Sequence, residues 1–275
     1  MLQTRFGGGG GGGGGGAPAA PLVEWDPRAP YFFLVPRAAV LACDAALPRM
    51  QTLRDEGKLV RKQIDLAAAF AGEGIVKQLL FVSHRWEEKG VPDVKGEQLK
   101  AMQAYLRAEP TVEYVWYDFS CMAQKESEDV DGRTPTEKEE FSLMLAAIAD
   151  LYLTSRVLIL LDKTYPTRFW TLTEAWCSMK TPTAEGVRTA AEAERRYAIR
   201  CIHNADEAHD MPALIKLLSE KTPHEMHDIL DTPDVHVTNT NDKKVMLPFI
   251  KKTNEHVKGF FAAEHAAARE PGVAP

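Results

Sequence analysis

Leu79, Leu80, Phe81 and Val82 are consecutive apolar residues, the pattern of a strand buried on both faces. Comparable runs recur further along, so strands are expected at Gln78–Ser83, Glu113–Phe119, Arg156–Asp162 and Arg196–His203. Between them the polar and apolar positions take on helical spacing, over Gly96–Ala108, Glu137–Thr154 and Arg168–Met179. Helical pieces follow at Met211–Glu220 and Pro248–Ala267. In the longest helix Phe141, Leu145, Ile148 and Tyr152 fall on one face, which is a core stripe and not a cofactor contact. Strands alternating with helices predict an α/β fold, a mainly parallel sheet with helices on both faces.

The flanks read differently. Residues 1–30, with the glycine run Gly7–Gly16 and the "APAAP" that follows, can bury nothing and are expected to form a disordered leader. The run lacks the Lys-Ser/Thr that a phosphate loop needs. Over 31–74 "YFFLV" is strand-like or an apolar anchor, and Ala38–Phe70 reads mostly helical with a break near Pro48. This segment is expected to be an N-terminal helical extension packed on the core, ended by the glycines of "GEG" at Gly72–Gly74. The α/β domain then spans 75–267, and 268–275 is expected to be a disordered tail.

With 45% hydrophobic residues the 275-residue chain can bury a substantial core. A net charge of −6 offers no basic excess for a nucleic-acid backbone, so nucleic acid is not an expected partner. Cys43, Cys121, Cys177 and Cys201 are scattered without close spacing, and Met1–Arg5 lacks a signal-peptide core, which suggests reduced thiols in a cytoplasmic protein. The strongest apolar stretch, Val157–Leu161, is far short of the roughly 20 residues of a membrane helix, so no membrane partner is expected.

Chemistry-bearing residues gather where the strands end. The first strand runs into Ser83, His84, Arg85 and Trp86, the second into Asp118, Ser120, Cys121 and Gln124, and the third into Asp162, Lys163 and Tyr165. Glu174 follows Trp170 by four residues and so shares its helical face. In an open α/β sheet these ends are where ligands bind. Each residue also has an ordinary structural use: His84 and Arg85 as caps or partners of Glu87 and Glu88, Asp118 as a turn residue, Glu174 as a solvated helix residue. The indoles of Trp86, Trp116, Trp170 and Trp176 serve equally well as core. No convincing metal ligand set is present, "HEMH" at His224–His227 included.

The blocks "FVSHRWE", "YVWYDFSCMAQ" with "LMLAAIADLYLTSRVLILL", and "RFWTLTEAW" resemble, in that order, the three blocks of the fungal heterokaryon-incompatibility (HET) domain. The layout is also similar to TIR domains, whose strand-end Ser-x-Arg and later Trp-Cys-Leu-x-Glu-Leu blocks match Val82–Arg85 and Trp170–Ala175. The resemblance covers roughly 75–180; Glu87 stands where the fungal sequences have Gly. It implies a flavodoxin-like (TIR-like) sheet with the first strand between the second and third. It further implies an intracellular signalling or defence domain that cleaves NAD, as substrate and not as cofactor, at the nicotinamide–ribose bond. Glu174 matches the catalytic residue. Ser83, His84, Arg85, Trp86, Asp118, Asp162 and Trp170 would then line the NAD site, with an indole stacked on a ring and Arg85 at the pyrophosphate.

Two other readings stay open: a non-catalytic self-association module of the same fold, and a thiol hydrolase built on Cys121 and His84. The loop Lys125–Glu140 carries seven carboxylates against three basic residues. It is a solvated connection or, as in TIR-like folds, a contact between copies, which makes a homo-oligomer through 125–140 an expectation.

Overall fold

The computed structural model describes residues 30–267, except 128 and 239; the expected leader up to residue 29 and the tail over 268–275 lie outside the described residues. In chain order the elements are β1 (Tyr31–Pro36), α1 (Arg37–Leu41), α2 (Met50–Asp55), β2 (Val60–Gln63), α3 (Leu66–Phe70) and β3 (Leu79–His84). Next come α4 (Glu97–Ala108), β4 (Tyr114–Trp116), α5 (Asp118–Cys121), α6 (Pro135–Thr154), β5 (Arg156–Leu161) and α7 (Phe169–Ser178). The chain closes with β6 (Lys180–Thr183), β7 (Gly186–Thr189), β8 (Tyr197–Cys201), α8 (Asp210–Leu218), α9 (Pro223–Asp231), α10 (Thr240–Lys251) and α11 (Thr253–Ala267).

Six strands make one sheet in the order β2-β1-β4-β3-β5-β8. The four strands expected from the sequence are its parallel part: β3 pairs with β4 on one side and β5 on the other, and β5 pairs with β8. The chain leaves β3 for β4 through α4, then crosses back over β3 to β5 through α6. The crevice between the ends of β3 and β5 is therefore a topological switch point. All six residues of β3 are buried, Ser83 and His84 included. Phe81 stacks on Trp116 with ring centres 5.0 Å apart, and Phe32 and Tyr152 meet that pair edge-on.

The extension over 31–74 is not simply helical. Its β1 runs antiparallel to β4 and its β2 antiparallel to β1, so this segment completes the sheet. The sequence Val60–Gln63 looks unlike a strand because it is an edge strand, where cationic side chains are tolerated and block further pairing. Here Arg61 lies over the Tyr31 ring and Lys62 over the Tyr114 ring. The expected helix end is in place: Gly72, just beyond α3, takes the left-handed conformation that suits glycine there. The hairpin β6–β7 and helix α9, also unanticipated, fill the region after α7. At Gly186 a Cβ would lie 2.5 Å from Asn254 Oδ1, the atom that accepts from the Val187 amide, so only glycine lets α11 dock on the hairpin.

Helix α6 is fixed at both ends. Thr134 and Glu137 form a reciprocal capping box with Pro135 in the first turn. At the other end the buried Arg196 guanidinium donates to the Ser155 and Lys180 carbonyls, as a cation suits a helix C-terminus. No helix among the described residues is long and apolar enough to cross a membrane.

Near the C-terminal end of α6 the buried Asp150 accepts from His256 Nε2 of α11 at 2.7 Å. This bond raises the His256 imidazole above its usual value of 6.5, with burial opposing it. A raised folded-state value means that the stabilisation is complete below about pH 6.5 and is lost as pH rises through the higher folded value. Thermal unfolding should therefore show His256→Gln destabilised by about 1–2 kcal/mol near pH 6, with the gap to wild type closing toward mildly alkaline pH. Phe32→Ala should cost about 3–5 kcal/mol in chemical denaturation, because β1 is an inner strand of the sheet; a cost below about 1 kcal/mol would make the segment a mere appendage.

Candidate functional site

The strand-end residues form three connected groups along the edge of the sheet. At the switch point Ser83 Oγ donates to Glu174 Oε2 at 2.6 Å and shares a short hydrogen bond with the Tyr165 hydroxyl. Tyr165 belongs to a single 3₁₀ turn after β5, and its hydroxyl also lies 3.0 Å from the Thr171 carbonyl. The Tyr152 hydroxyl, from α6, meets both the Val82 carbonyl at 3.3 Å and the Glu174 carboxyl. One carboxyl is thus met by two hydroxyls from two elements, with the Tyr165 hydroxyl holding Ser83 from behind.

Glu174 keeps some exposed surface, yet its carboxyl group is crowded. Burial pushes that carboxyl well above the usual range; the Ser83 hydroxyl opposes this, the Asp118 charge adds to it, and the Tyr152 hydroxyl opposes it. The effect is mutual: burial, then Glu174, raises the phenols of Tyr152 and Tyr165. Such a carboxyl holds its proton at pH values where an ordinary glutamate has lost it. It ionises most readily when a cation enters beside it.

Asp118 organises the second group. One of its oxygens lies 2.9 Å from His84 Nε2, and the other accepts from the Trp86 indole at 2.9 Å. The His84 ring stacks on Tyr117, whose hydroxyl donates to Gln98 of α4. Among the described residues His84 Nδ1 is buried with no hydrogen-bond partner. Trp86 meets Phe119 edge-on, so the indole is held between Asp118 and a ring. In the third group Arg85 Nε and Nη2 clasp Asp162, while Nη1 donates to the Trp86 and Glu87 carbonyls. Asp162 also caps the turn through Thr164 and Tyr165. Burial acts to raise the Asp162 carboxyl, but Arg85 and Thr164 together hold it below the usual range.

The structure brings together Ser83, His84, Arg85, Trp86, Asp118, Asp162 and Glu174 at this edge of the sheet. Trp170 is directed elsewhere, its indole donating to Asp242 of α10. Arg85 spends nearly all its donors within the protein. Cys121 is fully buried, its thiol pushed up to about 12 by burial and bonded to the Val115 carbonyl, and its recorded partners do not include His84. That geometry speaks against a thiolate nucleophile. Tyr152 and Tyr165 were missed by sequence reasoning. Tyr152 carried only a core signal, whereas Tyr165, directly after a strand end, was visible as a polar group without an evident role. Among the described residues no three His, Cys, Asp or Glu converge as metal ligands.

Compared with protein-family models, with curated proteins and with solved structures, the chain matches none. What fold and site define is an α/β protein with a mostly parallel six-stranded sheet and a perturbed carboxyl at its switch point.

Asp118→Asn leaves one oxygen to face the His84 ring, the Phe119 amide and the Trp86 indole, so it should release Trp86. The Trp86 indole N–H resonance should shift and lose its protection from exchange, with stability falling by about 1–2 kcal/mol. An unchanged resonance would show that the carboxylate does not hold the indole.

Proposed function

We propose that this chain is a TIR/HET-like signalling or defence domain that cleaves NAD between ribose and nicotinamide, with Glu174 as its catalytic residue. The observation that carries this reading is the Glu174 carboxyl held by Ser83 at the switch point, with its ionisation suppressed by burial. Nicotinamide leaves a cationic ribosyl-pyridinium as a neutral molecule, so the reaction needs no general acid and differs from two-carboxylate glycoside hydrolysis. Arrival of the pyridinium favours the ionised carboxylate. That carboxylate then stabilises the positive charge spreading onto the ribose ring as the bond to nitrogen breaks. Water completes the reaction and yields ADP-ribose and a proton. Ser83 and the two tyrosines orient the carboxyl, and Trp86, held by Asp118, supplies a flat apolar surface near the rim.

Arg85 supports a second reading. Its guanidinium is already satisfied by Asp162 and two carbonyls, as expected of a self-contained scaffold, and this favours a non-catalytic self-association module of the same fold. The two readings differ in one assay. Purified protein incubated with NAD should release nicotinamide, and Glu174→Gln should cut the rate at least about 100-fold with an unchanged melting temperature. Absence of release from a folded wild type, across assembly states, leaves the scaffold reading.

The pH profile follows from the raised carboxyl. The ionised form is active, so kcat/KM, which reports the free enzyme, should fall as pH drops through a value well above the 4.5 of an ordinary glutamate. In the same proposal copies associate through the 125–140 loop. Activity per molecule should then rise with protein concentration and fall with salt, because contacts of charged loops are screened within about 8 Å. Removing Ser127–Val130, which spares the Thr134 cap of α6, should abolish that dependence.

A further inference from the structure

Away from the strand-end site, α9, α10 and the start of α11 border an open surface cavity of about 580 Å³. Its size lies within the range of small-molecule sites. The chain as a whole is acidic, at −6, yet Lys244, Lys251 and Lys252 all face this one cavity, with Glu255 the one carboxylate lining it. Among the described residues none of these lysines forms an ion pair, whereas the neighbouring Lys243 reaches Asp231 at 3.8 Å. His224 and His227, three apart on α9 and so on one face, contribute two imidazoles to the lining.

Three like charges set against a single carboxylate raise the energy of the free protein, and an anion that enters recovers that energy. The arrangement also has a length. Lys244 and Lys251 stand seven residues apart on α10, two turns or about 10 Å along one face. Leu247 and Pro248 lie between them and give the cavity an apolar floor. Cations at both ends of an apolar floor match a ligand with a flat or apolar body and more than one negative charge.

We infer that the α9–α10 cavity binds a phosphorylated small molecule of the nucleoside diphosphate class, its phosphates on the lysines and its ring over Leu247 and Pro248. The site stands apart from the Glu174 reading and does not depend on it.

Calorimetric titration of the full chain at neutral pH and low salt tests this, with ADP, inorganic pyrophosphate and adenosine as probes. ADP and pyrophosphate should bind with Kd below about 100 µM, and adenosine should be much weaker. Lys244→Gln with Lys251→Gln should weaken ADP at least about tenfold without a change in melting temperature, a loss of about 1.4 kcal/mol. Glu174→Gln should bind ADP as wild type does, which separates failure of this inference from failure of the proposed NAD chemistry. Any of three results overturns it: no binding of ADP or pyrophosphate at millimolar concentration, affinity unaffected by the double lysine change, or loss of ADP binding in Glu174→Gln alone. Vesicles containing a phosphoinositide supply the remaining arm. Binding to them without binding to the free phosphate compounds also overturns the inference, since the anion would then be a lipid headgroup.

Discussion

A carboxyl group enclosed at the open end of the central strand is the constraint on which the strand-end architecture turns. Burying such a group is costly unless hydrogen bonds compensate it. For Glu174 the compensation comes from Ser83 on β3 and Tyr152 on α6, with Ser83 in turn held by Tyr165 in the turn after β5. The carboxyl itself hangs from α7. Satisfying one side chain therefore requires β3, α6, α7 and the β5 turn to be in register, and the capped ends of α6 serve that requirement directly. Hydroxyls leave the proton affinity of the carboxyl high, where an arginine or lysine would have lowered it.

Around this centre the other polar groups are spent on position. Asp118 holds His84 and Trp86 together, and Asp162 holds Arg85 while capping its own turn. Gln98 of α4 fastens the loop after β3 by donating to the Arg85 and Pro92 carbonyls. The residues that most resembled a recognition surface thus form the frame of a single polarised carboxyl. The block "YVWYDFSCMAQ" has a matching explanation: Trp116 and Cys121 are core, Gln124 ties back to the Asp118 and Met122 carbonyls, and Asp118 with Phe119 reaches the rim at Trp86.

The parallel half of the sheet was legible because doubly buried strands leave apolar runs that no other element imitates at that length, as in β3 and β5. Strand β2 was hidden for the opposite reason, since an edge strand covered by cationic side chains loses its apolar alternation. The hairpin β6–β7 was equally hidden, its "KTPT" and "GVRT" being mostly polar. In the site, Ser83, Asp118 and Glu174 could be read from strand-end position and spacing. The role of Tyr152 could not, because a helical stripe announces burial and does not reveal that the hydroxyl of its last member ends beside a carboxyl. Trp170 shares a face with Glu174 but is drawn to α10, an element whose first half the pattern did not predict.

The most direct test is the ionisation of Glu174 itself, followed by carbon-13 NMR of carboxyl-labelled glutamate and assigned by comparison with Glu174→Gln. The structure predicts one glutamate that titrates well above 4.5, moves further up in Ser83→Ala and moves down when Asp118 is replaced by Asn. A Glu174 signal that titrates with the exposed glutamates near 4.5 would contradict the account at its centre.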